Sequence, residues 1–216
     1  MRLRKKPWVK DEIVKFDQLI ENPEEYKGKW KERLGNNHPL HVELGTGKGD
    51  FITTLAEQNP DISFIGVEVR EEVLYTAVRK AAEKNLHNIA FLWMNINKIE
   101  EVFAEGEVTR IYLNFSDPWP KSGHAKRRLT YRQFLEKYKV MMPSGGEIHM
   151  KTDNEKLFEF SLNEFCESGF RLKNITFDLH NSHYEEAKSV MTEYEQKFVN
   201  LGMKIYRAEA ISPIKE

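Results

Sequence analysis

The chain has 216 residues, with 33 lysines and arginines against 34 acids and a formal net charge of −1. That length suits one domain around one core, and so even a charge balance names no partner by itself. Cys166 is the sole cysteine, which excludes an intramolecular disulfide and a cysteine-built zinc cluster.

The first residues are basic: Arg2, Arg4, Lys5, Lys6 and Lys10 come with no acid among them. They lack the apolar region of a secretory signal. No apolar run approaches the roughly 20 residues that span a bilayer, so a soluble, cytoplasmic protein with no membrane association is expected. Residues 1–30 read as a basic tail and lead-in helix, partly flexible, and residues 31–216 as a single domain. The tail is either disordered until it meets RNA or has no partner at all.

Strand and helix patterns then alternate. Leu40–Leu44 is a short apolar run, followed by a glycine turn and a helix pattern (Phe51, Leu55, Ala56) that Pro60 closes. Ile62–Val69 is continuous and β-branched, as in a strand covered on both faces. Val73, Leu74, Ala77, Val78, Ala81 and Ala82 repeat at helical spacing. Ile89–Met94 and Arg110–Phe115 read as a third and a fourth strand. Thr130 with Gln133 predicts a capping box for a helix lined by Tyr131, Phe134, Leu135 and Tyr138. Glu147–Lys151 is a fifth strand, followed by a helix with Leu157, Phe158, Leu162 and Phe165, where Cys166 is expected to be buried. Phe170–Leu179 and Lys204–Ala210 supply two closing strands.

This rhythm predicts an α/β fold with an open, doubly wound, mostly parallel sheet. Ligands of such sheets lie beyond the carboxyl ends of the strands. Four of those ends carry Glu43, Glu68, Asn95 and Asp117. The turn HVELGTGKGDF (His41–Phe51) places Gly45, Gly47 and Gly49 where the backbone can approach a ligand. It reads GxGxG, not GxGxxG, and Glu43 precedes it. A carboxylate there disfavours a pyrophosphate and favours a cationic cofactor. Glu68 stands where an acid accepts from ribose hydroxyls. The bland alternative is a tight turn beside two exposed acids.

The run IYLNFSDPWPK (Ile111–Lys121) places a carboxylate, an aromatic surface and a cation at one strand end, a combination few chemistries need, transfer of a group onto a nucleobase being one of them. Pro118 biases Asp117 toward extended backbone. Pro118 and Pro120 remove two amide donors, leaving the turn rich in carbonyl acceptors. Trp119 either stacks on a base or packs beneath the loop. Lys121, His124, Lys126, Arg127, Arg128 and Arg132 form a basic cluster. Its Lys121 and HAKRRL residues read as RNA phosphate contacts, which set affinity and register, or as surface solubility. Thr192 and Glu195 have the spacing of a capping box, with Tyr194, Phe198 and Leu201 on an apolar face. His180 and His183 complete no ligand set, so no metal is expected.

VELGTGKGDF resembles the cofactor motif of Rossmann-like methyltransferases that use S-adenosylmethionine. Together with NFSDPWPK, RRLT and TEYE, it is similar to the bacterial tRNA (guanine-N7-)-methyltransferase family, from about Pro39 to Ala210. The resemblance implies a seven-stranded sheet with one antiparallel closing strand. It implies methyl transfer from S-adenosyl-L-methionine to N7 of a guanosine in the tRNA variable loop, position 46. Glu43, Gly45, Gly47, Glu68, Asn95 and Asp117 would hold the cofactor, Glu68 through its ribose and Asn95 at the adenine. Asp117 would be the catalytic residue. Lys121, Asp153, Thr192, Glu193, Tyr194 and Glu195 would contact the tRNA. A monomer or weak homodimer is expected.

The DPWP run is also close to the DPPY-type loop of enzymes that methylate exocyclic amines, so the loop alone leaves the target atom open. A methyltransferase for another base or a small molecule remains an alternative. So do a nicotinamide-dependent oxidoreductase, whose turn should read GxGxxG, and a non-catalytic RNA-binding module, which has no reason for acids at successive strand ends.

Overall fold

The computed structural model describes residues 8–215. Arg2, Arg4, Lys5 and Lys6 lie outside the described residues, and the reading of a basic tail there goes with them. The chain divides into two compact units, Met1–Val102 and Phe103–Glu216.

The first unit contains α1 (Val9–Ile13), β1 (Leu19–Ile20), α2 (Trp30–Arg33), β2 (Leu40–Leu44), α3 (Asp50–Gln58), β3 (Ser63–Glu68), α4 (Glu71–Glu83) and β4 (Ile89–Trp93). Its strands run parallel in the order β1-β4-β3-β2. All five residues of β2 are buried, as are five of the six in β3. Continuous apolar sequence thus becomes strand covered on both faces. The register pairs Leu44 with Val67 and Glu68 with Trp93, so the carboxyl ends of β2, β3 and β4 finish nearly level. The lead-in segment belongs to this unit. Val9, Ile13, Leu19 and Ile20 are buried, and the Trp30 indole donates to the Val102 carbonyl at 2.8 Å.

The second unit contains β5 (Arg110–Asn114), α5 (Arg132–Met141), β6 (Glu147–Thr152), α6 (Glu155–Glu167), β7 (Arg171–Thr176), α7 (Glu185–Ser189), α8 (Glu193–Asn200) and β8 (Tyr206–Ile211). Its strand order is β5-β6-β8-β7. β5 and β6 are parallel, whereas β8 runs antiparallel to both β6 and β7. The fold is α/β, Rossmann-like and mostly parallel. It carries eight strands among the described residues, the seven expected and the two-residue β1. No helix among the described residues is long and apolar enough to cross a membrane.

Two local expectations are corrected. Thr130 does not cap α5: its buried hydroxyl shares a 2.7 Å hydrogen bond with Ser161. The first amide of α5, at Arg132, donates instead to the Glu164 carboxylate at 2.7 Å, a tertiary substitute for a local cap. Cys166 is exposed. The buried stripe of α6 is Leu157, Phe158, Ser161, Glu164 and Phe165, and one further residue turns the next side chain about 100° toward solvent.

Candidate functional site

In the first unit, β2 delivers Glu43 into the interior, where it accepts the Thr46 hydroxyl at 2.6 Å. Gly45, Gly47 and Gly49 have φ of +82°, +58° and +79°, a left-handed region that costs other residues about 1–2 kcal/mol. The three glycines serve different ends. A Cβ on Gly49 would lie 2.5 Å from that of Ala77, so this glycine lets α3 pack on α4. A Cβ on Gly45 or Gly47 would meet nothing within 4 Å, so these two leave open space over the turn.

Glu68 closes the turn. One of its oxygens accepts from the Gly47 amide at 3.1 Å, and the other accepts from Val69 and Arg70 at 2.9 and 3.0 Å. A carboxylate offers about four acceptor positions, so capacity for a ligand hydroxyl remains. Asn95 is exposed and its side-chain oxygen accepts from the Asn97 amide at 2.9 Å. Sequence reasoning missed two neighbours. Val69 is 55% exposed, and Trp93, 38% exposed, donates its indole N–H to the Val69 carbonyl. They form an apolar surface next to Glu68. The available signal was their place: Val69 follows the strand-end acid, and Trp93 is the one exposed residue of β4.

In the second unit, the backbone turns left-handed twice after β5, at Phe115 (φ +51°) and Trp119 (φ +42°). Strain of this kind costs of order 1–3 kcal/mol per residue and persists only where surroundings impose it. Asp117, between them, is exposed. Arg128 donates to the carbonyls of Pro118 and Trp119, both at 3.0 Å. The Trp119 ring has Arg127 over it at 4.8 Å and His124 edge-on at 5.8 Å. Lys121 and Lys126 are exposed and His124 is half-buried. The cluster read as phosphate contacts therefore divides: Lys121, Lys126 and Arg127 face solvent, whereas Arg128 turns into the loop.

Asp153 is half-buried just after β6, and Asn154 caps α6 by accepting from Leu157 at 2.8 Å. Thr192 caps α8, its hydroxyl accepting the Glu195 amide at 3.0 Å. The Glu195 side chain does not complete a capping box. It is fully buried and meets Lys151 at 3.0 and 3.2 Å and His180 at 3.0 Å. Lys151 also donates to the Val190 carbonyl at 3.2 Å. With Glu195 taking the inward position, the expected apolar face turns away: Tyr194 is 59% and Leu201 65% exposed. Glu193 is exposed as well. Tyr194 stacks on Phe198, whose ring lies 5.9 Å from Phe115.

A further polar cluster was not read from the sequence. Ligand-type atoms of Glu147, His149 and Glu209 lie within 4.8 Å of one another. Cations of the chain already meet these acids: Arg110 and Lys173 pair with Glu147, and Arg207 pairs with Glu209. The hydrogen bond from His149, aided by Lys173 and Arg110, holds Glu147 well below the usual carboxylate range despite partial burial. Burial lowers His149 and keeps its imidazole neutral to lower pH.

A family model described as "Putative methyltransferase" matches residues 37–208. A tRNA (guanine-N(7)-)-methyltransferase of Brevibacillus brevis is 54% identical over 215 residues, covering 100% of both chains. A protein of the same name from Bacillus subtilis is 52% identical over 210 residues, covering 97% of this chain and 98% of its own. Among solved structures, the 16S rRNA methyltransferase KamB aligns with a TM-score of 0.65 at 15% identity, over 86% of this chain and 94% of that one. A SAM-dependent methyltransferase from Aquifex aeolicus aligns with a TM-score of 0.57 at 16% identity, over 97% and 100%. At such identities the structural likeness concerns the fold alone. Near-full-length relatives at half identity and the family match say more: the chain belongs to the tRNA (guanine-N(7)-)-methyltransferase family.

Proposed function

We propose that the protein transfers a methyl group from S-adenosyl-L-methionine to N7 of the guanosine at position 46 in the tRNA variable loop. The products are 7-methylguanosine and S-adenosylhomocysteine. The observation that carries this reading is the glycine turn bracketed by Glu43 and Glu68, in a chain about half identical to its named relatives.

The residues present fit such a cofactor. Open space over Gly45 and Gly47 admits close backbone approach, Glu68 has acceptor capacity for ribose hydroxyls, and Val69 with Trp93 offers an apolar surface for an adenine. Asn95 can meet the exocyclic amine through its amide oxygen. When bound, the cofactor supplies an electrophilic methyl group on a positively charged sulfur. Glu43 and Glu68 place negative charge where a cation gains from it.

Guanine N7 carries an in-plane lone pair, so no proton leaves N7 before attack and no general base is needed there. Asp117 instead accepts from the N–H edge of the guanine and offsets the positive charge that develops on the ring. The larger contribution would be positioning of the guanine for attack on the bound methyl donor, which would remove orientational freedom before the reaction. Lys121, His124, Lys126 and Arg127 serve as phosphate contacts. Asp153, Thr192, Glu193 and Tyr194 contact the tRNA, and Glu195 supports them from inside. A cytoplasmic monomer or weak homodimer is the expected working form.

The test is incubation with labelled S-adenosylmethionine and unmodified tRNA, followed by chemical cleavage at the modified base. Label at the variable-loop guanosine is expected. Label on another base, or none on tRNA, would sink the reading.

A further inference from the structure

We infer that Arg128 is a positioning residue for the loop that carries Asp117, and not a contact to RNA phosphate. This rests on the methyltransferase reading above and deepens it. Three observations converge.

First, the loop needs support that its own backbone does not supply. Pro118 and Pro120 contribute no amide donors, and Phe115 and Trp119 are held at φ +51° and +42°. Second, the Arg128 Nε and Nη2 donate to the consecutive carbonyls of Pro118 and Trp119 at 3.0 Å each. This fixes two consecutive peptides, 118–119 and 119–120, one residue beyond Asp117. The Nε–Nη2 edge is also one with which arginine grips a phosphate side-on, and the loop already occupies it. Third, the guanidinium lies 4.3 Å from the centroid of the Phe160 ring on α6, and that ring is parallel to Tyr131 at 6.5 Å. The group is thus seated on a regular element, with its fork aimed at the loop.

Arg127, one residue earlier, is exposed and lies over the Trp119 ring. Two adjacent arginines of one basic run therefore do different work. A lysine at 128 would keep the charge but lose the planar fork that reaches both carbonyls at once.

The proposal is tested with wild type, Arg128→Ala, Arg128→Lys and Phe160→Leu, and with Lys126→Ala as the comparator for a phosphate contact. For each, kcat, KM for tRNA, the salt dependence of tRNA affinity and the melting temperature are measured. Arg128→Ala should lower kcat by roughly 10- to 100-fold, the scale of a small misplacement of reacting groups, and leave the salt slope of binding unchanged. Arg128→Lys should fail to restore kcat. Lys126→Ala should weaken binding and reduce the salt slope by about one. Should Arg128→Ala not fold, Phe160→Leu, which removes the seat of the guanidinium, should still lower kcat at constant salt slope.

A salt slope reduced by about one in Arg128→Ala with kcat retained, or full rescue by lysine, would overturn the proposal. Fluorotryptophan NMR provides a readout without turnover. The Trp119 resonance, assigned through Trp119→Phe, should move in Arg128→Lys, and an unmoved resonance counts against the clamp. Wild type that modifies no guanosine N7 defeats the functional reading alone, since the NMR and salt-slope comparisons still decide the role of Arg128.

Discussion

Each unit carries an irregular turn beyond a strand end, and the two are built in opposite ways. The turn after β2 reaches the left-handed region with glycines, at Gly45, Gly47 and Gly49. The loop after β5 reaches it with Phe115 and Trp119. Glycine adopts these angles freely and exacts its cost in the unfolded chain, about 0.5–1 kcal/mol each relative to alanine. Aromatic residues there carry their strain in the folded state. The glycine turn accordingly leaves open space over Gly45 and Gly47 and is closed by one carboxylate, Glu68. The aromatic loop is filled by its own side chains and held from outside by Arg128 and by the rings of Phe198 and His124. Open space over the first turn comes with glycine, whereas the second turn holds its shape with bulk and a clamp.

The second unit should therefore depend more heavily on distant side chains. Glu195→Ala, which strands Lys151 in the interior, should destabilise the protein by about 3–5 kcal/mol. Denaturant titration checks this, and a loss near the roughly 0–1 kcal/mol of exposed pairs would show that the buried pair matters little. Asp117→Ala should cut turnover roughly 10²- to 10³-fold, the scale of removing one preorganised electrostatic partner, with much less effect on cofactor affinity. Unchanged turnover removes Asp117 from the mechanism. In the first unit, Gly47→Ala should cost about 1–2 kcal/mol through backbone strain alone, since its Cβ meets no neighbour. It should also weaken cofactor binding as measured by calorimetry.

The smallest effect concerns pH. Glu147 and His149 both have folded-state pKa values below their ordinary 4.5 and 6.5. Each therefore stabilises the fold above that ordinary value, and the contribution fades as pH falls toward the folded-state value. Melting temperature should decline on acidification below about pH 6.5, first through His149 and then, below about pH 4.5, through Glu147. His149→Gln should flatten the upper part of that decline, and an unaltered profile would remove His149 as its source.

Features that one residue type alone can satisfy were legible in the sequence. The glycine turn, the acids at strand ends and the strand–helix rhythm all follow from local chemistry. Features decided by a distant partner were not. Thr130 has the spacing of a cap, yet its hydroxyl finds Ser161 on α6. Glu195 has the spacing of a capping-box acid, yet its carboxylate finds Lys151 on β6. Arg128 is indistinguishable from its basic neighbours until its fork is seen on Pro118 and Trp119. Cys166 sits one residue off the buried stripe of α6, a phase error too small for apolar spacing to resolve. β1 has only Leu19 and Ile20, too short for any periodicity, and only its pairing with β4 reveals it.

The position of β8 has a consequence for how the protein comes into being. Among the described residues it is the last strand in chain order, yet it lies between β6 and β7. On a translating ribosome, β6 and β7 are made first and have no contact as neighbours until β8 arrives to bridge them. Until then the inner edge of β6 exposes unpaired amides and carbonyls, a surface prone to pairing with other chains. Assembly of the half that carries Asp117 thus waits for its final strand, whereas the parallel strands of the glycine-turn half are complete as soon as β4 has emerged. The nascent protein acquires the framework of its glycine turn before that of the loop carrying Asp117.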